Sequence, residues 1–138
     1  MKYMILVYGS QQDYDAMSGK DTGKPTWSAE DMAKMGAFMN EVNKDLMESG
    51  EWVDGQGLTA PAHARRVQLQ NGVPVVTDGP YPETQEVIAG YWVVDCESFD
   101  RATEIAARVS HCPTPFLVDG STPEYIDIRP VDDASQSS

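Results

Sequence analysis

The sequence predicts a single α+β domain built on an antiparallel sheet, and three observations support that prediction. Two segments repeat apolar residues at helical spacing, and several short segments are either uniformly apolar or strictly alternating, as strands are. An Asn-Gly pair stands between two of those strand-like segments. A chain of 138 residues also suits one domain, because domains most often contain about 100–150 residues.

The chain begins with an apolar run at residues 3–8, which predicts a strand buried on both faces or nearly so. Residues 9–25 are polar and rich in glycine, and we expect them to form one long loop of the kind used as a lid or a binding loop. The opening run is shorter than the ~18 apolar residues of a membrane span. It also lacks the pattern of a secretion signal, so a cytoplasmic protein is expected.

Two helices are predicted from caps and apolar spacing. Ser28 suits the N-cap of the first helix, which we expect to end at Gly50. Its apolar stripe consists of Met32, Met35, Met39, Val42 and Leu46. Methionines of this kind usually fill a core, although they also suit a ligand wall or a subunit contact. Ser98 suits the N-cap of the second helix, and Pro113 lies beyond its end. The core-facing residues of that helix are Phe99, Ala102, Ile105, Ala106 and Val109.

The remaining segments complete a ferredoxin-like order. Asn71-Gly72 between residues 66–70 and 73–77 is a strong β-hairpin signature. Further strands are predicted at 52–58, 89–95 and 125–129, with a loop at 112–123 and a disordered polar tail at 132–138. The order is β-α-β-hairpin-β-α-β, which is the split βαβ arrangement with both helices on one face of the sheet. The predicted domain spans 1–131, and a second subunit is expected to cover the other sheet face, giving a homodimer.

Charge and cysteine content narrow the function classes. The net charge of −12, from 22 acidic and 10 basic residues, disfavours binding to nucleic acid and to anionic membranes. Cys96 and Cys112 match no zinc spacing and are expected to be reduced thiols. The sequence contains no linear metal motif, phosphate-binding loop or nucleophile elbow. Neither a metal nor an organic cofactor is therefore predicted.

The densest group of polar residues follows the predicted hairpin, at residues 78–86. Asp78-Gly79-Pro80 is a turn signature, because Asp bonds backbone amides, Gly permits unusual angles and Pro fixes the exit. One interpretation is structural, with Asp78 capping a rigid turn. In the functional interpretation, the turn holds Asp78 as a base or ligand anchor and presents Tyr81, Glu83 and Glu86 to a cleft.

The two histidines are weaker candidates. His63 lies in a loop between strands and is expected to be exposed. His111 follows the second helix, and a cationic ring is favoured at a helix C-terminus. The functional alternatives pair His111 with Cys112 as base and nucleophile, or with a distant Asp. Adjacency in sequence does not make a working Cys–His pair, which weakens the first of these.

A set of motifs spread along residues 1–131 resembles one known family. They are the opening Met1–Gly9, Asp54-Gly55-Gln56-Gly57-Leu58 with Pro61, Thr77–Glu86, Gly90-Tyr91, and the closing Ile128-Arg129-Pro130-Val131. Together they resemble the YCII-related proteins, in the subgroup called DGPF-domain proteins, with Tyr81 in place of the usual Phe. The resemblance implies a ferredoxin-like domain that pairs into a dimeric α/β barrel.

The resemblance also bears on activity and on partners. In shorter members of the family an enzymatic role has been suspected from a His near the start of the first helix and an Asp near its end. Residues 27–32 contain no His here, and Glu48 is the nearest match to the Asp, so that dyad does not carry over. Some DGPF relatives are fused or linked to extracytoplasmic-function sigma factors, which implies a regulatory context.

Three functions from different classes follow from these observations. The leading hypothesis is a cytosolic homodimer whose cleft binds a small molecule, with Asp78 and Tyr81 in its wall and Glu83, Glu86 and His111 nearby. The second is an enzyme that uses Asp78 or His111 as a general acid or base without any cofactor. The third is a protein-interaction module in a sigma-factor-linked pathway, which predicts an exposed apolar patch and no enclosed pocket.

Overall fold

The computed structural model describes residues 1–23, 25–115 and 125–132. Its elements are β1 (Lys2–Gly9), α1 (Gln11–Met17), α2 (Ala29–Ser49), β2 (Trp52–Gly57), a 3₁₀ turn (Pro61–His63), β3 (Arg65–Gln70), β4 (Val73–Asp78), β5 (Val87–Asp95), α3 (Phe99–Val109) and β6 (Asp127–Pro130). Most of the loop predicted at 112–123, from residue 116 onward, lies outside the described residues. So does the predicted tail after residue 132.

Four strands form one antiparallel sheet in the order β2-β5-β1-β6. The central pair is β1 and β5, whose register runs from Lys2 opposite Asp95 to Gly9 opposite Val87. β3 and β4 form a separate two-stranded hairpin. The predicted α+β class with an antiparallel sheet and an added hairpin is confirmed, and the strand order is consistent with a ferredoxin-like arrangement.

The core lies between the sheet and the two long helices. Ile5 and Val94 come from the sheet and Val42 comes from α2, and all three side chains are fully buried. Predicted core residues of α3 that are buried are Ala102, Ile105, Ala106 and Val109. Full burial of one such aliphatic side chain contributes about 1.5–3 kcal/mol. Phe99 was expected to face the core, but it is largely exposed and its ring contacts the Tyr3 ring at 5.2 Å.

The helix α2 begins and ends where the sequence predicts. The Ser28 hydroxyl accepts a hydrogen bond from the Asp31 amide at 3.1 Å, and the Asp31 carboxylate accepts one from the Ser28 amide at 2.9 Å. Gly50 ends the helix in the left-handed conformation, at φ 79°. Of the apolar stripe, Val42 and Leu46 are buried, whereas its methionines are half-buried or exposed.

No helix of the described ranges combines the length and the apolar character that crossing a bilayer requires. The longest, α2, contains several charged side chains between Ala29 and Ser49.

The predicted loop at 9–25 is wrong in its first part, because residues 11–17 form the helix α1. Ser10 and Asp13 cap this helix reciprocally, at 2.9 and 3.2 Å, as Ser28 and Asp31 cap α2. The Tyr14 hydroxyl donates to the Leu58 carbonyl oxygen at 2.8 Å, and Ala16 is fully buried. A seven-residue helix is too short to show helical apolar spacing, and isolated helices of this length are unstable. Tertiary contacts therefore stabilise α1.

The hairpin Arg65–Asp78, which we call the arm, forms as predicted and is exposed along both strands. Asn71 and Gly72 have positive φ angles of 52° and 80°, as the two central residues of a type I′ turn require. Neither strand of the arm belongs to the four-stranded sheet. The arm is thus held by its own ladder of hydrogen bonds and by the turn, with no buried side chain of its own.

The sheet face opposite α2 and α3, which we call the open face, carries both apolar and hydrogen-bonded polar residues. Strand alternation places Met4, Leu6 and Val93 on this face. Tyr91 donates a hydrogen bond to Asp54 there at 2.9 Å. Leu6 is already buried at 7% exposure, whereas Met4 and Val93 are half-buried. A second subunit on this face stays a prediction.

Candidate functional site

A cleft of about 560 Å³ lies at the end of the sheet where β1 ends and β5 begins. Strand ends line it together with two residues that flank the arm, Ala64 and Tyr81. Its walls are formed by Tyr8, Leu58, Thr59, Ala60, Pro61, Ala64, Tyr81, Val87 and Ile88. Small-molecule sites usually occupy about 300–1,000 Å³ and are mostly apolar with a few polar groups. The size and the composition of this cleft both fit that description.

The apolar walls come from segments that are distant in sequence. Leu58 and Ala60 follow β2, whereas Val87 and Ile88 begin β5, and the pairing of β2 with β5 brings them together. Ile88 is 45% exposed, so a bound molecule can still remove much of its surface from water. Removing apolar surface from water contributes about 25 cal/mol per Å². The cleft therefore favours an apolar ligand surface.

Tyr8 supplies a polar group in the cleft wall. Its hydroxyl donates to the Asp127 carboxylate at 2.7 Å, and its ring lies 5.3 Å from that of Tyr125. The hydrogen bond to Asp127, together with burial, raises the pKa of Tyr8 to about 12. Tyr8 is thus a neutral phenol at ordinary pH, and its oxygen can accept a hydrogen bond from a ligand.

Tyr8 was missed as a site residue by the sequence reasoning, which assigned it only to the opening strand. The available signal was a hydroxyl-bearing side chain at the end of an apolar run, next to Gly9. That signal does not identify Asp127 as its partner, because the two residues are 119 positions apart.

Tyr81, a predicted ligand-binding residue, is half-buried in the cleft wall. The guanidinium carbon of Arg66 lies over its ring, 5.2 Å from the centroid, within the usual range for a cation–π contact. This contact ties the orientation of Tyr81 to the base of the arm. Its role in binding stays a prediction.

Asp78 lies at the end of β4 and pairs across the arm. The Arg65 Nε donates to its carboxylate at 2.6 Å, with both side chains exposed. The next residue, Gly79, has φ 56° and donates its amide to the Ala64 carbonyl oxygen at 2.8 Å. Asp78 thus closes the base of the arm beside the cleft and is not one of the lining residues. Its proposed anchoring role stays a prediction.

The other predicted site residues lie on exposed surfaces. Glu83 and Glu86 are exposed, and the Glu83 carbonyl oxygen accepts the Gln12 amide at 3.1 Å. His63 is exposed, as predicted. The Nδ1 atom of His111 lies 2.8 Å from the Ala107 carbonyl oxygen at the end of α3. Across the ranges that the structure describes, no hydrogen bond or ion pair joins His111 to Asp78.

The two cysteines are free thiols, with Cys96 buried and Cys112 half-buried. Burial raises the pKa of both thiols, which lowers the thiolate fraction that a nucleophile needs. Among the residues the structure covers, no cluster of three or more His, Cys, Asp or Glu side chains could hold a metal ion.

Comparison with known proteins shows one relative and one family to which this chain is similar. The chain is 26% identical over 111 residues to an uncharacterized protein of Rhizobium meliloti (strain 1021), an alignment that covers 80% of this chain and 82% of that protein. Residues 1–122 match the YCII-related domain. This match extends from β1 through α3 and contains every residue of the described cleft wall. The chain therefore belongs to the YCII-related family.

Proposed function

We propose that this protein is a DGPF-type member of the YCII-related family that binds a small, largely apolar molecule in the cleft beside Tyr8 and Tyr81. The main observation that supports this proposal is an apolar cleft of about 560 Å³ with a tyrosine hydroxyl in its wall. The assignment to the DGPF subgroup rests on Asp78-Gly79-Pro80 followed by Tyr81.

The charges around the cleft define the class of ligand further. Asp127 lies against Tyr8 at 2.7 Å, and the chain carries a net charge of −12. Both disfavour an anionic ligand, and they are opposed by one cation at the cleft, the Arg66 guanidinium 5.2 Å from the centroid of the Tyr81 ring. The ligand is therefore neutral or cationic, with an apolar body and a donor group that reaches the Tyr8 oxygen.

The same proposal places the cleft in a cytosolic homodimer stacked through the open faces of the two sheets. Met4, Leu6 and Val93 support this arrangement because they occupy the sheet face that lies away from α2 and α3. The two free thiols, Cys96 and Cys112, suit the reducing cytosol.

A fluorescence titration with Nile red, a neutral apolar dye, tests the cleft. Ile88→Ala is expected to weaken Nile red binding about tenfold, which corresponds to the loss of roughly 1.4 kcal/mol of apolar contact. Val53→Ala is the matched control, since Val53 is 42% exposed on the neighbouring strand β2 and does not line the cleft. If wild type and Ile88→Ala bind Nile red with equal affinity, the cleft is not the binding site.

Two further titrations sharpen the assignment. The anionic dye 1-anilinonaphthalene-8-sulfonate is expected to bind more weakly than Nile red at low salt, and Asp127→Asn should reduce that difference in affinity.

Asp78→Asn tests the anchoring role of the turn. A variant that keeps both its affinity for Nile red and its stability would contradict the anchoring role of Asp78.

The acid–base alternative lacks a specific supporting observation, since Asp78 pairs with Arg65 and His111 contacts its own helix. The interaction-module alternative is favoured by one observation, the exposed apolar side chains of the arm.

A further inference from the structure

The helix α1 contributes no residue to the wall of the cleft, yet it is bonded to three of the segments that form that wall. These segments are the end of β2 at Leu58, the 3₁₀ turn Pro61–His63, and the loop that contains Tyr81. A hydrogen bond joins α1 to each of them. The walls of the cleft are therefore tied to a helix that lies outside it.

α1 is itself fixed at the end of β1. Ser10 directly precedes the helix and is only 3% exposed, and its reciprocal cap with Asp13 satisfies the amides of both residues. Ala16 is fully buried, and its carbonyl oxygen accepts the Trp27 amide at 3.1 Å. The helix is thus held at both ends and can support other segments.

The side chain of Gln11 makes the bond to the 3₁₀ turn. Its Oε1 atom accepts a hydrogen bond from the Ala62 amide at 2.8 Å, and its Nε2 atom donates to the Asp15 carboxylate at 2.9 Å. Ala62 is the second residue of the turn, and the first amides of a helical turn have no acceptor within it. Gln11 supplies that acceptor, and its bond to Asp15 keeps the oxygen directed at the turn.

The other two bonds join α1 to the remaining segments. The Gln12 amide donates to the Glu83 carbonyl oxygen at 3.1 Å, two residues beyond Tyr81. The Tyr14 hydroxyl donates to the Leu58 carbonyl oxygen at 2.8 Å. The bond from Gln11 differs from both, because it comes from a flexible side chain whose acceptor atom a single substitution removes.

We propose that Gln11 is a positioning residue, which holds the wall formed by Ala60 and Pro61 in the place that ligand binding requires. Pro61 lines the cleft and is buried, and the Ala62 amide that Gln11 holds directly follows it. A preorganised wall loses less freedom when a ligand binds. This role deepens the proposed function and rests on it.

A Nile red titration tests the role of Gln11. Gln11→Met keeps the length of the side chain and removes the acceptor of the Ala62 amide, so Nile red affinity should fall about fivefold, the scale of one hydrogen bond. Gln12→Met is the matched control, since it is the same exchange on the next residue and its bond to Glu83 comes from the main chain. The proposal is wrong if the two variants bind Nile red equally well.

A rescue variant separates positioning from a general effect on α1. Gln11→Glu combined with Asp15→Asn exchanges donor and acceptor within that pair, leaves the net charge unchanged and keeps an oxygen for the Ala62 amide. It gives up the contact of Asp15 with Lys20, which at 3.7 Å is too long for a hydrogen bond. The double variant should bind Nile red as tightly as wild type. If it binds as weakly as Gln11→Met, the bond to Ala62 does not position the wall.

Hydrogen exchange followed by NMR reads the same bond without any ligand. The Ala62 amide should exchange faster in Gln11→Met than in wild type, whereas the amides of β1 and β5 keep their protection in both. Saturating Nile red should slow the exchange of Ala62 in wild type, because a ligand stabilises the state that it binds. An Ala62 amide that exchanges equally in wild type and Gln11→Met contradicts the proposal.

The positioning role and the cleft fail in different ways. If Ile88→Ala loses Nile red affinity while Gln11→Met keeps it, the cleft stands and the positioning role is wrong. If Ile88→Ala keeps its affinity, the cleft is not the binding site, and the positioning role fails with it whatever Gln11→Met does.

Discussion

The four-stranded sheet and the arm are built from similar residues and differ in what covers them. Val94 in β5 is fully buried beneath the helices, whereas Val76 in β4 is mostly exposed. β-branched side chains favour a strand in both places. In the sheet they also contribute burial energy, and in the arm they stay in contact with water.

Register is determined differently in the two regions. In the sheet, a slip of one residue would move Ile5 out of the core, so burial specifies the pairing of β1 with β5. In the arm, Asn71 and Gly72 specify the pairing through the geometry of the turn. The pairing within the arm therefore does not depend on burial in the core.

The largest expected effect contrasts one aliphatic residue from each region. Ile5→Ala removes a fully buried side chain and should lower the free energy of unfolding by about 2–5 kcal/mol. Leu69→Ala in the arm should change it by less than about 0.5 kcal/mol in dilute solution. Urea denaturation measures both. Equal losses would show that the arm folds cooperatively with the core.

Two glycines of β2 provide a test at the edge of the sheet. A Cβ at Gly55 would lie 2.6 Å from the Cη2 atom of Trp52, whose ring packs on the core, whereas one at Gly57 meets nothing within 4 Å. Gly55→Ala should cost about 1–3 kcal/mol, and Gly57→Ala should be neutral or slightly stabilising. Thermal unfolding followed by circular dichroism distinguishes them, and a neutral Gly55→Ala would mean that Trp52 is free to move.

The body and the arm each contain an ion pair, and the two pairs should differ in how much they stabilise the fold. Arg101 donates to Glu51 at 2.8 and 2.9 Å, and this contact holds the pKa of Glu51 below its ordinary value of 4.5. A depressed pKa gives stability that is present above the ordinary pKa and lost as pH falls through the lower, folded value. Wild type should therefore lose more stability than Glu51→Gln between about pH 5 and about pH 3, as measured by urea denaturation.

The exposed counterpart in the arm is the contact between Arg65 and Asp78. Arg65→Met should change the free energy of unfolding by less than about 0.5 kcal/mol, because water screens exposed ion pairs. If Arg65→Met lowers the free energy of unfolding at neutral pH more than Glu51→Gln does, the arm contact is the stronger of the two, contrary to this prediction.

A last comparison concerns Tyr8, where the sheet meets the cleft. The bond to Asp127 raises its pKa from 10.0 to about 12. The stabilisation from this bond is therefore fully present below about pH 10 and is lost as pH rises from there through about 12. Tyr8→Phe should cost about 1 kcal/mol or less at neutral pH. In an absorbance titration of the phenolate, Asp127→Asn should make one tyrosine ionise at lower pH, and an unchanged curve would contradict the contact.

The predictions from sequence were best where local chemistry decides the structure. Ser28 and Gly50 bound α2 as expected, and Asn71-Gly72 forms the expected turn. The helix α1 was missed although Ser10 and Asp13 cap it in the same way. Seven residues contain too few apolar positions for their spacing to be read.

The candidate site was predicted only in part. Tyr81 lies in the cleft wall, whereas Asp78 binds Arg65 and His111 lies on α3. Tyr8 and Ile88 were not identified as site residues, because their roles depend on which strands are neighbours in the sheet.

The sequence by itself determined the order of the strands and of the two long helices, the caps of those helices, the hairpin turn and the family signature, because these depend on residues a few positions apart. The tertiary structure alone decided that α1 forms, that Tyr8 meets Asp127 across 119 positions, and that the arm stays outside the core. Those outcomes depend on the packing of distant segments, where the burial of one side chain is decided by neighbours that local spacing does not specify.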